Sequence, residues 1–130
     1  MRKQSSHSVK IRFVDKEAVF RGLSRYLDEL KENHPEVEAV GLFGSYSTGD
    51  YSVGSDVDLL VILKDSPIPL PDRIVAFLPT RFPVGVDVFP YTVEELRRMN
   101  SEGNFWIKHV LGEVKWLHGE KFIHKNSLSC

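Results

Sequence analysis

The segment Gly41–Leu63, GLFGSYSTGDYSVGSDVDLLVIL, constrains the fold more than any other part of the chain. Five apolar residues, Leu59–Leu63, follow one another without a polar break. Such a run suits a strand buried on both faces. Yet Asp56 and Asp58 stand one residue apart at its head. Side chains alternate along a strand, so both aspartates point to one face, roughly 6–7 Å apart at the backbone. Two like charges in a partly dry setting repel each other. A bound cation removes the repulsion. Oxygen-only ligands favour a hard ion, and magnesium is the usual choice when phosphate completes the shell.

The stretch Val37–Phe43 is apolar on both faces apart from Glu38 and reads as a second central strand. It ends at Gly44-Ser45. A glycine lets backbone approach a ligand closely. A serine at a strand-to-helix turn offers a hydroxyl and N–H donors, which suit phosphate. This turn meets the carboxylates only if the two strands run antiparallel, with YSTGDYSVGS as the connection. Ser55 has two readings, one as a hydrogen-bonding residue beside Asp56 at the phosphate site and one as a turn residue. A third strand, Val84–Phe89 (VGVDVF), carries Asp87 where an apolar residue would be easier to bury. Val86 and Val88 claim its opposite face, so Asp87 can join the first two carboxylates from a neighbouring strand. Three acidic groups can hold one or two magnesium ions.

Around these strands the pattern is helical. Val19, Leu23, Tyr26, Leu27 and Leu30 recur at helical spacing, predicting a helix from Asp15 to about Leu30. Asp15 is a candidate N-cap, with Val14 and Val19 placed as a hydrophobic staple. Pro35 ends the helix by disfavouring helical geometry at His34. Five of the seven prolines fall between Asp65 and Pro83. DRIVAF within that stretch reads equally as a short helix opened by Pro71 or as part of a stiff connector. Thr92 and Glu95 match a capping box, with Tyr91 and Leu96 as staple. A further helix is expected over Asn104–Leu111, stopped at Gly112. Its Phe105, Trp106, Ile107 and Val110 read mostly as core, with Trp106 and Trp116 alternatively part of a protein interface. EVKWLHGE alternates as a short last strand would. The order predicts an α+β fold: a small mixed sheet with core strands 37–43, 58–63 and 84–89, covered by helices. The expected organisation is a flexible lead-in at 1–14, one domain at 15–120 and a C-terminal tail at 121–130.

The 130 residues suffice for one domain. No apolar run exceeds five residues, so no membrane-spanning helix is expected. The single cysteine, Cys130, excludes an internal disulfide and a cysteine zinc site; with no signal-peptide pattern, this leads to a cytoplasmic expectation. A net charge of −1 is unlike a protein built to grip a nucleic-acid backbone. Asp50 and Asp65 read as solvated loop residues. Arg97, Arg98, Lys108 and Lys115 read as a solvated helix face sooner than as a triphosphate or partner surface. The five histidines lack zinc spacing and read as structural or exposed.

Gly44-Ser45, then ten residues, then Asp56-Val57-Asp58, with Asp87 in a later strand, resembles the signature of the DNA polymerase beta-like nucleotidyltransferase superfamily. The size and the ending NFWIKHVLGEVKWLHGE resemble the minimal nucleotidyltransferases (MNT proteins). The resemblance spans Lys16 to Glu120. It implies that Asp56 and Asp58 are metal ligands. Asp87 would be the third carboxylate, helping to hold the catalytic metal and accepting the proton of the attacking hydroxyl. Gly44 and Ser45 would hold phosphate. The implied reaction is magnesium-dependent transfer of AMP from ATP to a hydroxyl. The implied partner is a helical HEPN-type toxin, adenylylated on a tyrosine in a type VII-like toxin–antitoxin pair. Two alternatives stand beside it: a non-catalytic module that binds nucleotide or partner and neutralises a toxin by complex formation, and a small-molecule nucleotidyltransferase of the aminoglycoside type.

Overall fold

The computed structural model describes residues 16–52 and 54–128. The expected lead-in and the Asp15/Val14 cap and staple lie outside the described residues. Helix α1 (Lys16–Asn33) is followed by β1 (Val37–Phe43), the single turn α2 (Ser45–Thr48) and β2 (Val57–Leu63). Helix α3 (Leu70–Phe77), β3 (Val86–Thr92), α4 (Val93–Ser101), α5 (Phe105–Glu113), β4 (Lys115–His118) and α6 (Glu120–Lys125) complete the order.

One four-stranded sheet runs β3-β2-β1-β4. β1 is antiparallel to both β2 and β4, and β2 is parallel to β3, so the sheet is mixed. Its centre follows directly from the uninterrupted apolar run: Leu59 through Leu63 are all 0% exposed. Val19, Leu23, Tyr26 and Leu30 of α1 pack with Phe77 of α3 against one face. Leu96, Ile107, Val110 and Leu111 of α4 and α5 pack against the other. The architecture is α+β with helices on both faces, as the element order predicts.

Several boundaries differ from the sequence reading, each for a tertiary reason. β3 runs over Val86–Thr92 instead of 84–89. Pro90 lies within it, which an edge strand tolerates because one row of its N–H groups needs no ladder partner. The proline-rich stretch does hold a helix, with Pro71 in its first turn. Arg73 on that helix is 3% exposed and donates from Nε to the Ile68 carbonyl (3.0 Å) and from Nη1 to the Pro90 carbonyl (3.0 Å). It also grips Glu95 at 2.7 and 3.1 Å. Glu95 closes the Thr92 capping box at the same time, accepting from the Thr92 N–H at 2.8 Å. One buried guanidinium thus ties connector, edge strand and α4 together.

α5 does not stop at Gly112 but continues through it to Glu113, with Val114 as C-cap. Phe105 is not core: it is 88% exposed, because Ile107, Val110 and Leu111 define the buried side of α5 and Phe105 points away from it. Within the stretch expected as a tail, α6 (Glu120–Lys125) runs to Lys125, and Ile123 and Leu128 are 0% and 3% exposed in the second core.

Candidate active site

The antiparallel pairing of β1 and β2 runs from Val37↔Leu63 to Phe43↔Asp58. It brings the end of β1, and hence Gly44-Ser45, to the start of β2. The parallel pairing of β2 and β3 sets Asp58 directly beside Asp87. Neighbouring strands lie about 4.8 Å apart, so these two carboxylates share one end and one face of the sheet. Asp56 precedes Asp58 by two residues, immediately before β2. Asp56 and Asp87 are exposed and Asp58 is half-buried, so the group opens to water.

Two glycines make room for it. Gly44 has φ +76, and a Cβ there would strike the Asp58 carboxylate. A Cβ at Gly85 would strike the Asp56 carboxylate, while the Gly85 carbonyl accepts from the Val57 N–H at 2.9 Å. Gly85 went unnoticed in the sequence because its role depends on the β2–β3 register.

Glu113 is the other residue that sequence reasoning missed. It sits at the end of α5, and its Oε2 accepts from the Gly44 N–H at 2.6 Å. Its backbone carbonyl accepts from the Ser47 hydroxyl at 2.6 Å. His109, one turn earlier, faces the same carboxylate at 3.3 Å. Spacing could have signalled it, since 109 and 113 share a helix face once the helix is carried past Gly112.

The electrostatics follow from this crowding. Burial, then the charges of Asp87, Asp56 and Glu113, push the Asp58 carboxyl up to about 6. Within this group Glu113 has His109 at 3.3 Å, while the Arg73–Glu95 ion pair forms on a carboxylate elsewhere. The donor set is therefore all oxygen and strongly anionic, which suits a hard divalent cation. Among the described residues, no three His, Cys, Asp or Glu side chains converge closely enough to hold an ion in this conformation.

Ser45 opens α2 and is half-exposed beside the carboxylates. Ser55 serves a turn: its hydroxyl accepts from the Ser52 N–H (2.9 Å) and its own N–H donates to the Ser52 carbonyl (3.0 Å). Tyr46 stacks on Tyr51 at 4.5 Å, and its buried hydroxyl has no hydrogen-bond partner. Burial, Tyr51 and the Asp56 charge raise that phenol above its ordinary value. Asp50 accepts from the Thr48 hydroxyl, and Asp65 is exposed, as expected of loop residues. A cavity of about 180 Å³ lined by Leu27, Leu30, His34, Val37 and His118 lies at the opposite end of β1, away from the carboxylates.

Residues 23–112 match the family described as "Nucleotidyltransferase domain". Among curated proteins, the chain is 34% identical over 53 residues to the "Putative protein adenylyltransferase MJ0141" of Methanocaldococcus jannaschii. That match covers 41% of this chain and 54% of the relative, so the chain spans about half the length of the curated relative it matches. Among solved structures it is similar to a chain of a mutant MntA–HpeT toxin–antitoxin complex, with a TM-score of 0.57 at 22% identity. That similarity covers 81% of this chain and 76% of the other. A chain from a toxin–antitoxin structure with AMP-PNP gives a TM-score of 0.54 at 21% identity, over 88% of this chain and 80% of that one. Among the described residues no helix is long and apolar enough to cross a membrane. The matched span covers most of the chain and contains the glycine–serine turn and all three aspartates; the chain belongs to the nucleotidyltransferase domain family.

Proposed function

We propose that the chain is a magnesium-dependent nucleotidyltransferase that moves AMP from ATP to a hydroxyl, with a tyrosine of a helical HEPN-type partner as acceptor in a toxin–antitoxin pair. The observation that carries this reading is the register Asp58↔Asp87 beside the Gly44-Ser45 turn. The similarity to a protein named as an adenylyltransferase and the fold shared with toxin–antitoxin chains support it. Phe105, exposed on α5 beside the half-buried Trp106, supports a protein partner on that helix.

In this reading Gly44 and Ser45 hold the triphosphate, with the Ser45 N–H and hydroxyl as donors. Asp56, Asp58 and Asp87 are the residues that would hold magnesium. When bound, the ion neutralises charge on the phosphates and lowers the pKa of the acceptor hydroxyl. The acceptor oxygen attacks the α-phosphorus in line, forming the new P–O bond as the bond to pyrophosphate breaks. Asp87 takes the proton from the hydroxyl. Positioning and charge supply most of the acceleration. A partner that brings both the hydroxyl and a wall over this open site keeps water from competing.

A second reading is a non-catalytic module that acts by complex formation, supported by the fold shared with toxin–antitoxin chains. One experiment separates the two. The chain is incubated with ATP, magnesium and the purified, unmodified helical partner, and the partner's intact mass is measured. A gain of one AMP that vanishes with Asp56→Asn supports the enzyme. A stable complex without mass change supports the module.

A further inference from the structure

We propose that Glu113 is a positioning residue that holds the Gly44-Ser45 turn in its nucleotide-binding shape; this rests on the function proposed above. The side chain stands where a carboxylate is unfavourable. It lies at the C-terminus of α5, where the helix dipole disfavours negative charge. It also adds to the like charges that push Asp58 upward. A residue required only to finish a helix would carry neither cost.

What offsets those costs is a clasp. Glu113 Oε2 accepts from the Gly44 N–H at 2.6 Å, a charge-assisted hydrogen bond between residues 69 positions apart. The Glu113 carbonyl takes the Ser47 hydroxyl at 2.6 Å, so the same residue holds α2 at both ends of its first turn. Gly44 is the pivot of the site. Its positive-φ backbone turns the chain from β1 into α2, and the Asp58 carboxylate packs against the place where its Cβ would be. Fixing the Gly44 N–H fixes the Phe43–Gly44 peptide plane, from which the chain turns toward Ser45 and against which Asp58 rests. Glu113 touches neither nucleotide nor acceptor in this assignment; it acts through Gly44. His109 Nε2 faces Oε1 at 3.3 Å and leaves Oε2 for the clasp.

Reach and charge can be separated by two conservative variants. Glu113→Gln keeps the length and an acceptor oxygen but loses the charge. Glu113→Asp keeps the charge but is one methylene too short. Two measurements are made on the whole chain: hydrogen exchange at the Gly44 amide, and calorimetric affinity for ATP with magnesium. Losing a hydrogen bond to a charged group corresponds to about tenfold or more. The expected result is that Glu113→Asp speeds Gly44 exchange and weakens ATP binding by about tenfold or more, whereas Glu113→Gln stays within about threefold of wild type on both. The reverse order, with Asp benign and Gln damaging, would show that charge matters and not the clasp, and overturns the proposal. So does unchanged exchange at Gly44 in both variants. Both variants keep most of the side-chain volume, and circular dichroism identifies any that fails to fold. If the wild type itself binds no ATP, the nucleotidyltransferase reading falls, while Gly44 exchange still decides the clasp.

Discussion

Replacing Asp58 by asparagine should make the metal-free protein more stable at neutral pH. Asp58 is held at about 6 in the fold against an ordinary 3.8, chiefly by burial and then by Asp87, Asp56 and Glu113. A shift of about two pKa units corresponds to about 3 kcal/mol, at about 1.4 kcal/mol per unit. Asp58 is only half-buried and its neighbours face water, so solvent screening reduces this to about 1–2 kcal/mol. The sign follows from linkage. A carboxyl whose folded pKa is raised binds its proton more readily in the fold than in the unfolded chain. Wild-type stability therefore rises as pH falls from about 6 toward 3.8. The advantage of Asp58→Asn is full above pH 6 and disappears below about 4. Urea denaturation in EDTA, followed by the fluorescence of Trp106 and Trp116, measures it. With a urea slope of about 1.5 kcal/mol/M, the midpoint at pH 7.5 should move up by about 1 M. Magnesium and ATP should reverse the order, because ligand that binds only the folded wild type stabilises it by mass action. A midpoint at pH 7.5 that stays level or falls, or a gain that persists unchanged at pH 4, would refute the electrostatic account of this site.

Asp87→Asn preserves size and loses proton affinity; transfer in a single-turnover assay should fall by about a hundredfold or more while ATP affinity changes far less. Arg73→Met removes the buried half of the Arg73–Glu95 pair and should cost about 3 kcal/mol, the lower end of the range for such pairs, since Glu95 keeps some water. The Arg73 hydrogen bond chiefly lowers the Glu95 carboxyl from its ordinary 4.5, so this contribution is present above that pH and is lost as pH falls through the depressed folded value. Denaturation of wild type and variant between pH 7 and pH 2 checks both size and direction. Tyr46→Phe removes a buried hydroxyl with no partner and should leave stability unchanged or raise it by up to about 1 kcal/mol, read as an unchanged or higher melting temperature; a clear loss would mean that the hydroxyl is paired in solution.

What the sequence determined alone is what depends on neighbours in the chain. The uninterrupted run Leu59–Leu63 dictates a strand buried on both faces, and β2 is the centre of the sheet. The Thr92/Glu95 spacing dictates a capping box, which forms. The short polar link after Gly44 forces β1 and β2 antiparallel, which brings the turn to the aspartates. Tertiary structure decided what depends on contacts between distant segments. The placement of Asp87 beside Asp58 comes from a β2–β3 register that no local pattern encodes. The choice between connector and helix at 70–77 is sealed by Arg73, whose partners lie up to 22 positions away. Glu113 meets Gly44 across 69 positions, and Gly85 matters only because Asp56 lies over it. Ile123 and Leu128 look like tail residues until the sheet offers them an uncovered face. Local spacing fixes which side of an element a residue takes. Only the packed sheet and helices decide which other element that side meets, and the site here is built from such meetings.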